Sequence, residues 1–231
     1  MAGDRLTRIL AELQSKGTRD RLPTHLCEVT TDILRVSGAG VMLMSGDVPQ
    51  GSLCTTNSVS SLIEELQYTL GEGPCIDSYQ QGQVVLEPNL AHPATPRWFG
   101  FTPPALEAGV RAVFGFPLRV GSARLGVLNL YQDRPDSFSI EQHADALVVA
   151  QIIAHWVIDT QASASPETIE RLLESGADFH FVVHNAAGMI SVQLGVSITE
   201  ALIRLRATAF AKNRRVDQVA ADVVSRRMRF S

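Results

Sequence analysis

Val110-Arg111-Ala112-Val113-Phe114-Gly115-Phe116-Pro117-Leu118-Arg119-Val120 alternates in character. Val110, Ala112, Phe114, Phe116, Leu118 and Val120 point one way and Arg111 and Arg119 the other, the period of a half-buried strand. Gly121-Ser122 follows as a two-residue hairpin signal. The next stretch, Leu125-Gly126-Val127-Leu128-Asn129-Leu130-Tyr131, is more continuously apolar, as expected of a strand covered on both faces. An antiparallel pair therefore sits late in the first two thirds of the chain, and the rest is read outward from it.

Upstream, Leu6, Ile9, Leu10 and Leu13 make one helical stripe, and Leu22, Leu26, Val29, Ile33 and Leu34 a second, with Pro23 in its first turn. Gly38 and Gly40 end that helix. Val41-Met42-Leu43-Met44 reads as a buried strand, 47–51 as a turn and 52–56 as a paired strand. Residues 58–70 read as a helix with Ser58, Ser60 or Ser61 as cap. Gly71-Glu72-Gly73-Pro74-Cys75 is a tight turn feeding a short helix to Gln80, Val84-Val85-Leu86 a short strand and 103–108 another short helix. Downstream, 139–160 is a long helix with Ala146, Val149, Ile153 and Trp156 facing in. Helices, an antiparallel meander and a closing helix give an α+β domain.

The C-terminal quarter has a different grammar. Gly195 sits where a helix C-cap wants positive φ after Leu194. Ser197-Ile198-Thr199-Glu200 is an S-x-x-E capping box, followed by Ala201, Leu202, Leu205 and Ala209 on one face. Val216, Val219, Ala220, Val223 and Val224 form a third stripe. Three short amphipathic helices with basic residues between the stripes suggest a nucleic-acid-binding module. Between the two parts, 161–167 is a small, polar linker. Ile169, Leu172, Gly176, Phe179, Val183, Ala186 and Ile190 then recur at steps of three and four, a seam that packs on the chain's own body or pairs with a second copy.

Charge divides the same way. Residues 1–178 carry 12 Lys/Arg and 21 Asp/Glu, a net −9; residues 179–231 carry 8 and 3, a net +5, and together these return the overall −4. A basic end on an acidic body favours an anionic partner for that end. No apolar run approaches the roughly 18 residues of a membrane span, and Met1-Ala2-Gly3-Asp4-Arg5 has no signal-peptide core. Cys27, Cys54 and Cys75 are too few and too scattered for a disulfide framework or a zinc site. A cytoplasmic protein is expected.

Two resemblances follow. Gly71-Glu72-Gly73-Pro74-Cys75, Trp98, Gly109-Val110-Arg111, Phe116-Pro117-Leu118 and the 125–131 strand resemble the GAF half of actinobacterial GAF–ANTAR proteins, over roughly 18–160. Ala186, Gly188-Met189, Leu194, Glu200-Ala201, Leu205-Arg206, Ala209, Arg214, Val216, Val219-Ala220 and Val223 resemble an ANTAR domain, a three-helix RNA-binding module of bacterial antitermination regulators. Two departures stand out: Ala187 where many ANTAR members have Lys, and Ala112 where many GAF relatives have Ser. The resemblance implies an N-terminal helix over 1–17, a GAF sensor over 18–160 and a coiled-coil helix with an all-α bundle over 168–231. ANTAR relatives commonly pair, which implies a homodimer through Ile169, Leu172, Phe179 and Val183.

For chemistry, the six His residues show no H-E-x-x-H or Cys/His ligand spacing, so no metal and no catalytic set is expected. Cys75 is reactive only if a helix N-terminus lowers its pKa; otherwise it is inert. Cys75, Trp98, Arg111 and Tyr131 are candidates to line a small-molecule pocket, with core aromatics and a structural ion pair as the competing reading. RNA stem-loops are the expected partner. Arg204, Arg206, Lys212, Arg214 and Arg215 would supply charge, His184 and Gln193 base-edge contacts, and Ala186 and Gly188 close backbone approach or, equally, helix packing. Arg226, Arg227 and Arg229 read as a basic tail. A helix-turn-helix across 194–199 entering DNA is the alternative, and a third is a ligand-binding or redox GAF protein whose C-terminus only dimerises.

Overall fold

A computed structural model of the chain describes residues 2–15, 22–45, 48–163, 177–212 and 214–230. Within them the chain forms nine helices and five strands. In order these are α1 (Ala2–Ser15), α2 (Leu22–Leu34), β1 (Gly38–Ser45), β2 (Val48–Thr55), α3 (Ser58–Leu70), α4 (Pro74–Gln81), β3 (Val85–Glu87), α5 (Thr102–Glu107), β4 (Ala112–Val120), β5 (Ala123–Gln132), α6 (Ile140–Ser163), α7 (Ala177–Leu194), α8 (Ile198–Ala211) and α9 (Val216–Val224).

The strands make one sheet in the order β2-β1-β5-β4-β3, with every neighbouring pair antiparallel. The expected hairpin is its spine: Val120 pairs with Ala123 across Gly121-Ser122, and Phe116 with Leu128. Because strand side chains alternate, the two faces separate cleanly. Ala39, Val41, Ala112, Phe114, Phe116, Leu118, Leu128 and Leu130 pack with Cys27, Leu34, Val149 and Ile153 from α2 and α6. The other face splits. Met42, Met44 and Val127 join Cys75, Ile76 and Tyr79 of α4, while Val113 and Tyr131 join Trp98, Phe101 and Ala105 around α5. Helices on both faces explain why β5 lacks polar alternation.

Several local expectations are corrected. The cap of α3 is Asn57, not a serine: its Oδ1 accepts from Ser60 N–H (2.9 Å), and the Ser60 hydroxyl accepts from Asn57 N–H (2.9 Å), a reciprocal box. In α8 only half of the expected box forms. Ser197 Oγ accepts from Glu200 N–H (3.2 Å), while the Glu200 carboxylate turns to Arg204 (2.6 Å). Helix α6 runs to Ser163, into the stretch read as linker; the remainder of that linker, with Ile169 and Leu172, lies outside the described residues. Leu6 and Leu10 of the first stripe and Val224 of the last are exposed.

The cysteines carry the largest correction. Cys27 on α2 and Cys54 on β2 are joined by a disulfide, leaving Cys75 as a buried free thiol. Among the described residues no single helix is long and apolar enough to cross a membrane.

The C-terminal helices close their own core from Val183, Ala186, Ala187, Ile190, Leu202, Leu205, Val219, Ala220 and Val223, and that core is continuous with the α4 side of the sheet. Helix α7 ends at Gly195 with φ 65°, as its position predicts. The described part of the heptad seam thus packs on the chain itself: Val183, Ala186 and Ile190 are buried.

Candidate functional site

The quoted turn Gly71-Glu72-Gly73-Pro74-Cys75 organises the α3 side of the sheet. Gly71 caps α3 in the left-handed region (φ 67°), its N–H donating to Gln67 O (2.9 Å). Gly73 adopts φ 128°, and a Cβ there would meet the Gln67 side chain at 2.7 Å. Pro74 then starts α4 where no N–H is needed. Gln67 Oε1 accepts from Cys75 N–H (2.6 Å), and Glu72 Oε1 accepts from the N–H groups of Gly100 (2.5 Å) and Phe101 (2.7 Å).

Under that turn lies a polar cluster that sequence reasoning missed. Glu64 (3% exposed) receives a hydrogen bond from Asn129 Nδ2 at 2.7 Å. Glu64 Oε2, Gln67 Nε2 and Asn129 Oδ1 are buried with no hydrogen-bond partner. A Cβ on Gly40 would meet Glu64 Oε1 at 2.5 Å, so that glycine is what lets the carboxyl reach the sheet. Burial pushes the Glu64 carboxyl up to about 8, against the lowering effect of the Asn129 bond. Burial, with the Glu64 carboxyl adding to it, also raises the Cys75 thiol well above its ordinary value. Such a thiol is a poor nucleophile, so the condition for a reactive Cys75, a pKa lowered by a helix N-terminus, is not met.

The residues proposed for a ligand pocket are divided between two core clusters. Cys75 belongs to the α4 cluster, whereas Trp98 and Tyr131 belong to the α5 cluster. Trp98 Nε1 donates to Asp77 (3.0 Å) with Arg97 stacked 4.0 Å over its ring, and Tyr131 Oη donates to Asn57 (3.0 Å). Arg111 makes no ion pair among the described residues. Its Nη1 donates to the carbonyls of Leu106 (2.8 Å) and Val110 (2.9 Å), closing the end of α5.

The expected RNA face is divided too. Ala186 is fully buried, so it serves helix packing. His184 is half-buried, edge-on to Tyr68 with centroids 6.1 Å apart; its Nε2 has no partner, and burial lowers its pKa. Arg206 is turned into the body: its Nη2 donates to Tyr68 O at 2.5 Å, capping the C-terminus of α3. Arg215 is exposed but reaches Glu65 of α3 (2.7 Å) and Asp217 (3.1 Å). Arg204 pairs with Glu200, and Asp222 receives both Arg214 (2.8 Å) and Arg227 (2.9 Å). Gly188 is half-buried; Gln193 is exposed and accepts from Phe230 N–H (3.0 Å). Lys212, Arg226 and Arg229 are exposed, with no ion pair among the described residues. No group of three His, Cys, Asp or Glu among the described residues is placed to hold a metal ion.

Comparison with known proteins agrees with the sheet and its helices. The GAF domain family model matches residues 18–154. The GAF domain of a phosphoenolpyruvate-protein phosphotransferase from Acinetobacter is similar at TM-score 0.51 and 15% identity, covering 71% of this chain and 96% of that one. The corresponding GAF domain from Coxiella burnetii gives 0.52 and 16%, covering 70% and 95%. At these identities the likeness is one of fold. No curated protein matches the chain. The family match spans the whole sheet, the disulfide and the buried Glu64 cluster: the chain belongs to the GAF domain family.

Proposed function

We propose that the chain is a signal-responsive, non-enzymatic RNA-binding regulator, a transcription antiterminator whose C-terminal helices form an ANTAR module governed by the GAF domain. The carrying observation is the C-terminal bundle. It closes its own core, exposes Lys212, Arg226 and Arg229 with no ion pair among the described residues, carries Arg204, Arg214, Arg215 and Arg227 as well, and is tied to the sensor by two of its arginines, Arg206 and Arg215. The net +5 end needs an anionic partner, and stem-loops offer both phosphate and splayed bases. Arg206 and Ala186 leave the contact set; Gln193, Arg204, Lys212, Arg214 and Arg215 stay, with Gly188 and His184 at its edge. A small-molecule signal acts through the GAF domain in the cytoplasm. The homodimer expected through Ile169, Leu172, Phe179 and Val183 would lose Val183, which is buried in the chain's own core; Ile169 and Leu172 lie outside the described residues.

A second reading has one observation in its favour. Helices α7 and α8 meet at 106° across a three-residue turn, within the geometry of a DNA-binding helix-turn-helix. Against it, α8 opens with Ile198 exposed and with Glu200 and Arg204 committed to each other, leaving few groups for base edges.

The test is binding of the full chain to a labelled RNA with two small hairpins, beside the same sequence as duplex DNA, at two salt concentrations. Selective RNA binding is expected, with a log–log salt slope of about −0.7 per phosphate neutralised. The Glu65→Gln variant, which removes the tie between Arg215 and the sensor and leaves its pair with Asp217, should bind more tightly. Preference for duplex DNA would install the second reading, and no binding by either protein would overturn the proposal.

A further inference from the structure

The junction between sensor and bundle contains an open cleft of about 680 Å3. The sensor side brings Leu70, Gly71 and Glu72, and the bundle side brings Ile203, Arg206 and Phe210, with Arg214 and Arg215 at its margin. Ile203, Arg206 and Phe210 fall on one face of α8 at steps of three and four. Ile203 is 58% and Phe210 79% exposed, so two large apolar side chains flank one inward-turned cation at the cleft wall.

Arg206 is unlike its neighbours. Arg204, Arg214 and Arg215 each have a carboxylate. Arg206 has a backbone carbonyl, that of Tyr68, and among the described residues no carboxylate within ion-pairing distance. Its Nε is buried and has no hydrogen-bond partner. Burial lowers its pKa, as it does for any cation taken from water. A guanidinium removed from solvent without a counter-charge is a costly arrangement that a bound anion relieves. The position is held by close approach: a Cβ on Gly71 would stand 2.7 Å from Arg206 Nη1.

We infer that this cleft binds a small organic anion, a carboxylate or phosphate monoester with an aromatic or branched apolar body. The charged end meets Arg206, and the body lies against Leu70, Ile203 and Phe210. Glu72 borders the same cleft with its Oε1 held by Gly100 and Phe101 N–H groups. Arg214 and Arg215 reach the same cleft but are each paired with a carboxylate, which leaves Arg206 as the cation for the ligand's charged end. The ligand touches both halves of the chain, so its occupancy bears on how firmly Arg206 holds the end of α3.

The experiment titrates 1-naphthyl phosphate into the full chain by calorimetry, beside inorganic phosphate and 2-naphthol. Saturable one-to-one binding of the naphthyl phosphate is expected, tighter than either comparison compound. Arg206→Gln should weaken it at least tenfold and Arg206→Lys less. Phe210→Ala, a change at an exposed side chain that leaves the fold intact, should weaken it severalfold. Absence of saturable binding by the native chain, or equal affinity in Phe210→Ala and a folded Arg206→Gln, would overturn the site. No RNA is present, so either failure leaves the proposed RNA function standing.

Discussion

Replacing Glu64 by Gln tests the buried cluster most sharply. In the folded chain burial lifts this carboxyl from 4.5 to about 8. In the unfolded chain it ionises near its ordinary value. Between those two pKa values the native state holds a proton that the unfolded state has lost, so stability is greatest at low pH and falls as pH rises toward 8. Each unit is worth 1.36 kcal/mol, so the two units from pH 6 to pH 8 amount to roughly 3 kcal/mol. In a domain of this size that is a fall of roughly 6–12 °C in Tm. Glutamine keeps the shape and an oxygen for Asn129 Nδ2 but cannot ionise. Urea or thermal unfolding of both proteins at pH 6, 7, 8 and 9 cancels every other titrating group. The native chain should lose stability relative to Glu64→Gln across that range by the stated amount. Parallel curves would refute the assignment of a neutral, buried carboxyl at position 64.

Two further outcomes follow from the same structure. The Cys27–Cys54 bond closes a loop with a sequence separation of 27, for which chain entropy gives about 3.5 kcal/mol; urea unfolding with and without reductant should differ by an amount of that order, and coincident curves would remove the bond from the native state. Asn57→Ala removes the α3 cap together with acceptors for Ser60 N–H and Tyr131 Oη; a loss of about 1–2 kcal/mol is expected, read as a lower urea midpoint at unchanged m-value, and an unchanged midpoint would count against the cap.

What could be read from the chain was mostly what is local. The β4–β5 hairpin declares itself through alternation and Gly121-Ser122, and the stop of α7 through Gly195, because neighbours in sequence fix both. The disulfide was hidden because it depends on α2 lying over β2. Asn57 was passed over for nearby serines although Asn is among the strongest N-caps, and Ser60 is indeed the other half of its box. Arg206 was read as an RNA contact and Glu64 was not singled out, although both are turned into the body. Arg206 stands four residues after Leu202 and three before Ala209, on the buried face, so the spacing alone placed it inward. Glu64 had a subtler signal in Gly40, whose missing Cβ admits the carboxyl. Cys75 was grouped with Trp98 and Tyr131 although they enter different clusters, because nearness in a resemblance does not say which cluster a side chain joins.

Helix α3 has a mechanical role that its 13 residues do not advertise. At 1.5 Å per residue it is a rod of about 20 Å, gripped at both ends and at the middle. Asn57 pins its start to β5 and to the Ser37 carbonyl, Glu64 fastens its waist to Asn129, and Arg206 clasps its last turn. A rod held this way transmits displacement without bending, so a shift of the sheet under Glu64 arrives at the bundle as a translation of the Tyr68 carbonyl. As a hypothesis, the sensor speaks to its C-terminal helices by sliding this one helix along its axis. A distance between spin labels on α3 and α9 that stays fixed from pH 6 to pH 9, while Glu64 ionises, would rule that out.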